Sequence, residues 1–380
     1  MNKVNKLYVK LPYKCREKLL FIVSLFNLKK SIGMLRNIRE YYKKSNIHNW
    51  GEYDNEKDIW KKSFKKLSII TKDGIDIAKR FYMENIEIIK QSNIDKESPI
   101  LICLVKDDIK RIKTFFNHYR KMGVSNFAII DNCSEDGTYE FLKEQKEINL
   151  FKIKETYTTL NRQAWVNRII SYYGFNKWYL IVDSDELFVY ENCENYNIKK
   201  ILNYLEEKQI YRNRSLMIDM YSKGPFMRET IDKEYTDIFK YFDVDSYDIK
   251  RHKFFECVTG GMRKRIVKED ANFSPFLIKY PLIFFEKGDI QYNSHYSFPF
   301  YKNFGKPLGT ALLHYKFLPN DLDKIKKIVE QGNFTSGSKE YMKYLEIYEN
   351  KDKSNFLYEG SKEYINSSDI YKINLVQKLN

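Results

Sequence analysis

The chain has 380 residues, with 66 Lys/Arg against 51 Asp/Glu and 43% hydrophobic residues. That balance builds a packed core and excludes a disordered or fibrous chain. The five cysteines are odd in number and form no CxxC pair, which excludes a disulfide scaffold and a zinc ribbon.

The charge is unevenly placed. Residues 1–50 hold 12 Lys/Arg and 2 Asp/Glu, while the other 330 hold 54 and 49. No apolar leader with a small-residue cleavage site opens the sequence, which reads as a cytoplasmic protein. The run Leu19 to Phe26, flanked by Arg16, Lys18, Lys29 and Lys30, is too short to span a bilayer. Two readings stand for residues 1–50: a helical cap on the main domain, or a peripheral contact with the inner face of an anionic membrane. No nucleic-acid partner is expected, because no recognition motif accompanies the basic stretch.

Residues 1–97 read as helices, and the segment 75–89 carries apolar residues near the helical period. The polar stretch Ser92 to Pro99 marks a boundary. Ile100 to Val105 is then an unbroken apolar run, as expected of a strand buried on both faces. A helix follows to Met122, stopped at Gly123. Strands are expected at 127–130, 150–153 and 178–182, and helices at 138–146 and 161–173. This order implies an α/β fold with a mainly parallel sheet, whose ligands bind beyond the carboxyl ends of the strands. The expected units are a basic helical extension (1–97), an α/β domain (98–318) and a helical tail (319–380).

The acidic residues stand where such a fold places chemistry. Asp131 closes one strand and opens Asp131-Asn132-Cys133-Ser134-Glu135-Asp136-Gly137-Thr138. Asp183-Ser184-Asp185 closes another. In extended backbone, i and i+2 share a face, so Asp183 and Asp185 are expected to converge on one Mg2+ or Mn2+. Two more D-x-D triplets, at 243–245 and 321–323, do not follow such a strand. G-x-G-x-x-G, G-x-x-x-x-G-K-[ST] and H-E-x-x-H are absent, which leaves redox and P-loop chemistry without support.

The stretch Ile100 to Phe188 resembles the GT-A glycosyltransferases, specifically the family-2-like bacterial enzymes of surface-polysaccharide clusters. The resemblance rests on Val105-Lys106-Asp107-Asp108, on His118-Tyr119 with Gly123-Val124, on the intact 131–138 motif, and on Asp183-Ser184-Asp185-Glu186-Leu187-Phe188. It departs at Asp107-Asp108 (Asn-Glu in the family), at the swapped His118-Tyr119 order and at Leu187 (Phe in the family). A looser match continues through 260–265 and 312–317.

The resemblance implies a GT-A fold and a metal-dependent transfer from a nucleotide sugar, with UDP-sugars favoured, to a glycan or glycolipid acceptor, with inversion. Asp131 would contact base or ribose, and Asp183 the ribose or a metal-bound water. Asp185 would hold the metal, with His314 as a distal ligand or else a core histidine. Gln163 and Asn167, four apart on one helical face, would border the nucleotide or form a surface pair. Arg263 and Arg265 would hold diphosphate or belong to a solvated charge run. Inversion needs a general base, for which Glu256, Asp219 and Asp270 are candidates. His295 is a candidate for the acceptor site, and His118 reads as structural. The alternatives are a catalytically inactive sugar- or nucleotide-binding scaffold of the same fold and a membrane-surface adaptor.

Overall fold

The computed structural model describes residues 11–26, 28–228, 234–251, 256–267, 273–333, 335–350 and 354–379. Asp270 lies outside the described residues, as does the side chain of Glu256.

Among the described residues, five strands precede the D-x-D motif or end at it: β1 (Glu87–Lys90), β2 (Ile100–Val105), β3 (Asn126–Asp131), β4 (Ile148–Lys152) and β5 (Lys177–Ile181). Eleven follow: β6 (Glu186–Val189), β7 (Arg214–Asp219), β8 (Tyr241–Asp243), β9 (Tyr247–Arg251), β10 (Glu256–Gly260), β11 (Ile278–Lys279), β12 (Leu282–Phe285), β13 (Ile290–Gln291), β14 (Ser297–Phe298), β15 (Leu308–His314) and β16 (Ser361–Glu363). The fold is mixed α/β.

The main sheet runs β1-β4-β3-β2-β5-β12. Its four central strands are parallel, and β1 and β12 are antiparallel edges. Every residue of β3 is buried, as sheets covered on both faces require. Helices Ile109–Lys121, Thr138–Glu144 and Thr159–Tyr173 make the crossovers. After the first of them Gly123 has φ +85°, and a Cβ there would meet Asn197 Nδ2 at 2.0 Å, so only glycine fits. A second, four-stranded sheet has the order β11-β7-β15-β6.

The helix expected over 75–89 ends at Met83. Beyond it Ile86-Glu87-Ile88 alternates with period two, and β1 forms there against β4. Sheet and core therefore run across residue 97. Trp60 stacks on Phe81 and Phe175, with ring centroids 5.0 and 4.9 Å apart. Arg168 donates to the carbonyls of Phe81 and Glu84 at 3.1 and 2.6 Å, tying helix Asp73–Met83 to helix Thr159–Tyr173.

The tail forms helices Leu322–Gln331 and Thr335–Glu349 and then returns to the body. Arg111 pairs with Asp321, β16 pairs with β8, and Gln377 N–H donates to the Leu308 carbonyl at 2.8 Å. No helix among the described residues is long and apolar enough to cross a membrane.

Candidate functional site

Asp131 ends β3 and is fully buried, with the Ser134 N–H 3.2 Å from its Oδ2. Burial pushes its carboxyl upward, and the Ser134 contacts offset only part of that rise. The loop beyond it is knitted to the end of β2. Glu135 N–H donates to Asp107 at 2.7 Å, Ile109 N–H to Asp136 at 3.0 Å, and Asp108 N–H to the Thr138 hydroxyl at 2.9 Å. Asp107 sits at φ +53°, and Asp108 accepts from Lys324 at 2.6 Å.

Between β5 and β6 the chain does not stay extended. Glu186 N–H donates to the Asp183 carbonyl at 3.0 Å, which closes a turn. The turn gives different partners to the two carboxylates that extended backbone would have set side by side. Asp183 accepts from Arg162 at 2.6 Å and from Lys279 at 2.8 Å. Burial alone would raise its pKa, yet the two cations hold it well below the ordinary carboxylate range. Glu186, almost wholly buried, takes Lys279 on one oxygen and the Asp183 N–H on the other, at 3.2 Å. Burial keeps its carboxyl raised in spite of Lys279.

Asp185 points instead to the second sheet. There Glu186, His314 and Asp219 form one cross-strand row, with Glu186 opposite His314 and His314 beside Asp219. His314 Nδ1 lies 2.6 Å from Asp219 Oδ1, and its Nε2 lies 3.5 Å from Asp185 Oδ2. Asp219 also receives Arg263 Nε at 3.0 Å on each oxygen. Burial would raise the Asp219 carboxyl, but Arg263 and His314 hold it at about 2. Burial would lower His314, and the Asp185 and Asp219 carboxylates outweigh it and raise the imidazole. Gly260, at φ +113°, starts the helix that delivers Arg263. A Cβ there would meet the Ser246 carbonyl at 2.1 Å.

The expected residues divide on this geometry. Ligand atoms of Asp185, Glu186 and His314 lie within 4.8 Å of one another. Asp185 and His314 suit a divalent cation, because Asp219 fixes the imidazole from behind and leaves Nε2 facing Asp185. Glu186 pairs with Lys279, and Asp183 with Arg162 and Lys279, while Asp185 and His314, two of the three expected metal residues, face one another.

Arg263 serves Asp219 and Glu340 rather than an open diphosphate site, and Arg265 is held by Asp243 and the Phe356 carbonyl. Arg263 belongs to a buried ion pair and Arg265 to a half-buried one, not to a solvated run. Asp219, with both oxygens engaged, suits orienting His314 better than taking a proton. Asn167 is fully used by the backbone of Gln163 and Gln291. Gln163 is buried, and its side-chain oxygen and nitrogen lack protein partners, as do Arg162 Nη1, Asn132 Oδ1 and Glu155 Oε2. Buried polar groups are ordinarily satisfied, so a polar ligand, ion or water could pair with these. His295 Nδ1 lies 2.7 Å from the Ile278 carbonyl, and burial lowers the imidazole to about 4. His118 Nε2 lies 2.8 Å from the Phe188 carbonyl, tying its helix to β6.

Sequence reasoning missed Arg162, Lys279 and Lys316. Lys279 occupies a two-residue strand outside every motif, and only the register of β11 on β7 brings it to the D-x-D turn. Two depressions of about 700 and 440 Å³ lie at the opposite, amino end of the main sheet. Gln91, Asn149 and Tyr172 help line the first, Trp178 and Glu206 the second, and none of the buried acids of the cluster touches either.

The chain matches no model of a known protein family and no curated protein. What fold and site define is a mixed α/β protein with a carboxylate–histidine cluster at its strand ends.

Proposed function

We propose that the protein is a metal-dependent GT-A glycosyltransferase that moves a sugar from a nucleotide-sugar donor to a glycan or glycolipid acceptor, with inversion, in surface-polysaccharide synthesis. The observation that carries this reading is the Asp185–His314–Asp219 row, set beside the Asp183 turn at the carboxyl end of β5. A diphosphate leaving group gathers charge as its bond breaks, and a divalent cation held by Asp185 and His314 would neutralise it. Asp219 keeps the imidazole turned toward that cation. Arg162 and Lys279 fix Asp183, whose exposed edge remains available to a ribose hydroxyl. Lys316, two residues after His314, adds a cation on the same side, steadied by the Tyr341 hydroxyl at 3.0 Å.

A second reading, a non-catalytic scaffold, is favoured by one fact. Asp183 and Glu186 are already neutralised by protein cations.

Thermal stabilisation by UDP-, GDP-, CMP- and dTDP-sugars, with and without manganese, tests both. Saturation at 100 times the dissociation constant adds about 2.7 kcal/mol. Manganese-dependent stabilisation together with turnover that Asp185→Ala abolishes supports the transferase. Stabilisation without turnover supports the scaffold. No stabilisation by any of the four sinks both.

A further inference from the structure

Helix Tyr13–Leu25 turns one apolar stripe outward, while Leu20 and Phe21 are half-buried. On the inner side the Tyr13 ring meets Phe304 at 4.9 Å, and Glu17 accepts from the Tyr301 N–H at 2.7 Å. The outer side shows Leu19, Ile22, Val23 and, at the C-cap, Phe26. Their spacing of i, i+3, i+4 and i+7 makes one stripe, and they are 41, 48, 60 and 80% exposed. A helix made only to close a core turns such a stripe inward, whereas this one buries none of its residues. Lys18, also exposed, borders the stripe, Lys14 is exposed over the Tyr301 ring at 5.7 Å, and Arg36, Arg39 and Lys43 are exposed on the following helix with Lys44 just past its end. Glu17 and Glu40 are the only acids in residues 1–50.

We propose that this stripe docks on an anionic lipid surface, with its apolar side chains in the headgroup–acyl boundary and the basic side chains against lipid phosphates. The charge chooses the occupant. A second copy of the chain would bring the same positive border against itself, and four side chains offer far less than the roughly 800 Å² per partner of a stable dimer. Spanning is excluded for this helix, because 13 residues rise only about 20 Å against a hydrocarbon core of about 30 Å. Docking stands or falls independently of the donor site.

The full chain should float with vesicles of phosphatidylcholine containing about one third phosphatidylglycerol. Binding should be about tenfold or more weaker on pure phosphatidylcholine and in high salt. Ile22→Ser/Val23→Ser/Phe26→Ser should lose about tenfold or more in affinity with an unchanged melting temperature, and Lys14→Glu/Lys18→Glu should do the same. The proposal is overturned if the triple variant binds as the parent does, or if neutral vesicles bind equally well. A triple variant that melts several degrees lower overturns it too, since the stripe would then be packed on the body. So does a lipid-free dimer that the triple variant dissolves, which would assign the stripe to a second copy.

Discussion

The two sheets share one core but are built by opposite rules. In the main sheet three crossover helices link the four central strands, whose residues are mostly apolar, and Asp131 is their one acid, at the end of β3. In the second sheet β6, β7, β11 and β15 come from positions 186 to 314, and its polar residues sit inside the core as Glu186, Asp219, Lys279 and His314. The first sheet is stabilised by apolar burial, which is additive and forgiving. The second holds paired charges that are tolerable only in company. The contrast teaches that this chain's buried charges gather where the fold is least local.

That comparison can be broken most severely at Asp219. Asp219→Ala leaves Arg263 buried beside an unsupported His314, and we expect a loss of about 3–5 kcal/mol in denaturant unfolding, together with loss of metal affinity. In β3, by contrast, Ile129→Val should cost about 1 kcal/mol. Equal losses at the two positions would erase the distinction between the sheets.

Lys279 sharpens it. Lys279→Met strips the cation from Glu186 and half of the support from Asp183, for an expected loss of about 3 kcal/mol. Adding Glu186→Gln should restore much of that, because the uncompensated charge goes with it. A double-mutant cycle with no coupling would show that the pair does not form.

A pH-dependent effect ties the helix before β3 to the second sheet. Burial lowers His118 to about 4, against an ordinary 6.5, and its bond to the Phe188 carbonyl offsets this only in part. Between those values the unfolded chain binds the proton and the folded one does not. Stability is therefore full above about pH 6.5 and falls as the pH drops to about 4. The contribution of His118 is about 2 kcal/mol after discounting for its partial exposure. Melting curves at pH 7.5 and 5 should differ less in His118→Gln than in the parent, and an unchanged difference would refute the assignment.

How much of this the sequence discloses follows from the same contrast. Ile100–Val105, Asn126–Asp131 and the helices between them are visible because their period is local. Asp131, Asp183 and Asp185 are visible because they close apolar runs. Extended backbone would set Asp183 and Asp185 on one face, whereas a four-residue turn there gives the two carboxylates different partners. Arg263 and Arg265 look like a solvated run or a phosphate clamp until Asp219 and Asp243, some 44 and 22 residues upstream, come to meet them. Lys279 has no local sign at all. His314 stood out only through the looser family match, not through any period of its own.

The Arg263 guanidinium joins Asp219 on one side to Glu340 on the other, and the last turn of chain bonds back to Leu308 at the start of β15. A consequence concerns synthesis. The cluster is braced by residues that emerge after all of its own members, so a nascent chain carries the D-x-D turn long before it carries a finished site. Chains released before Glu340 should carry Arg263 with one of its two acids missing and should unfold more readily than longer ones.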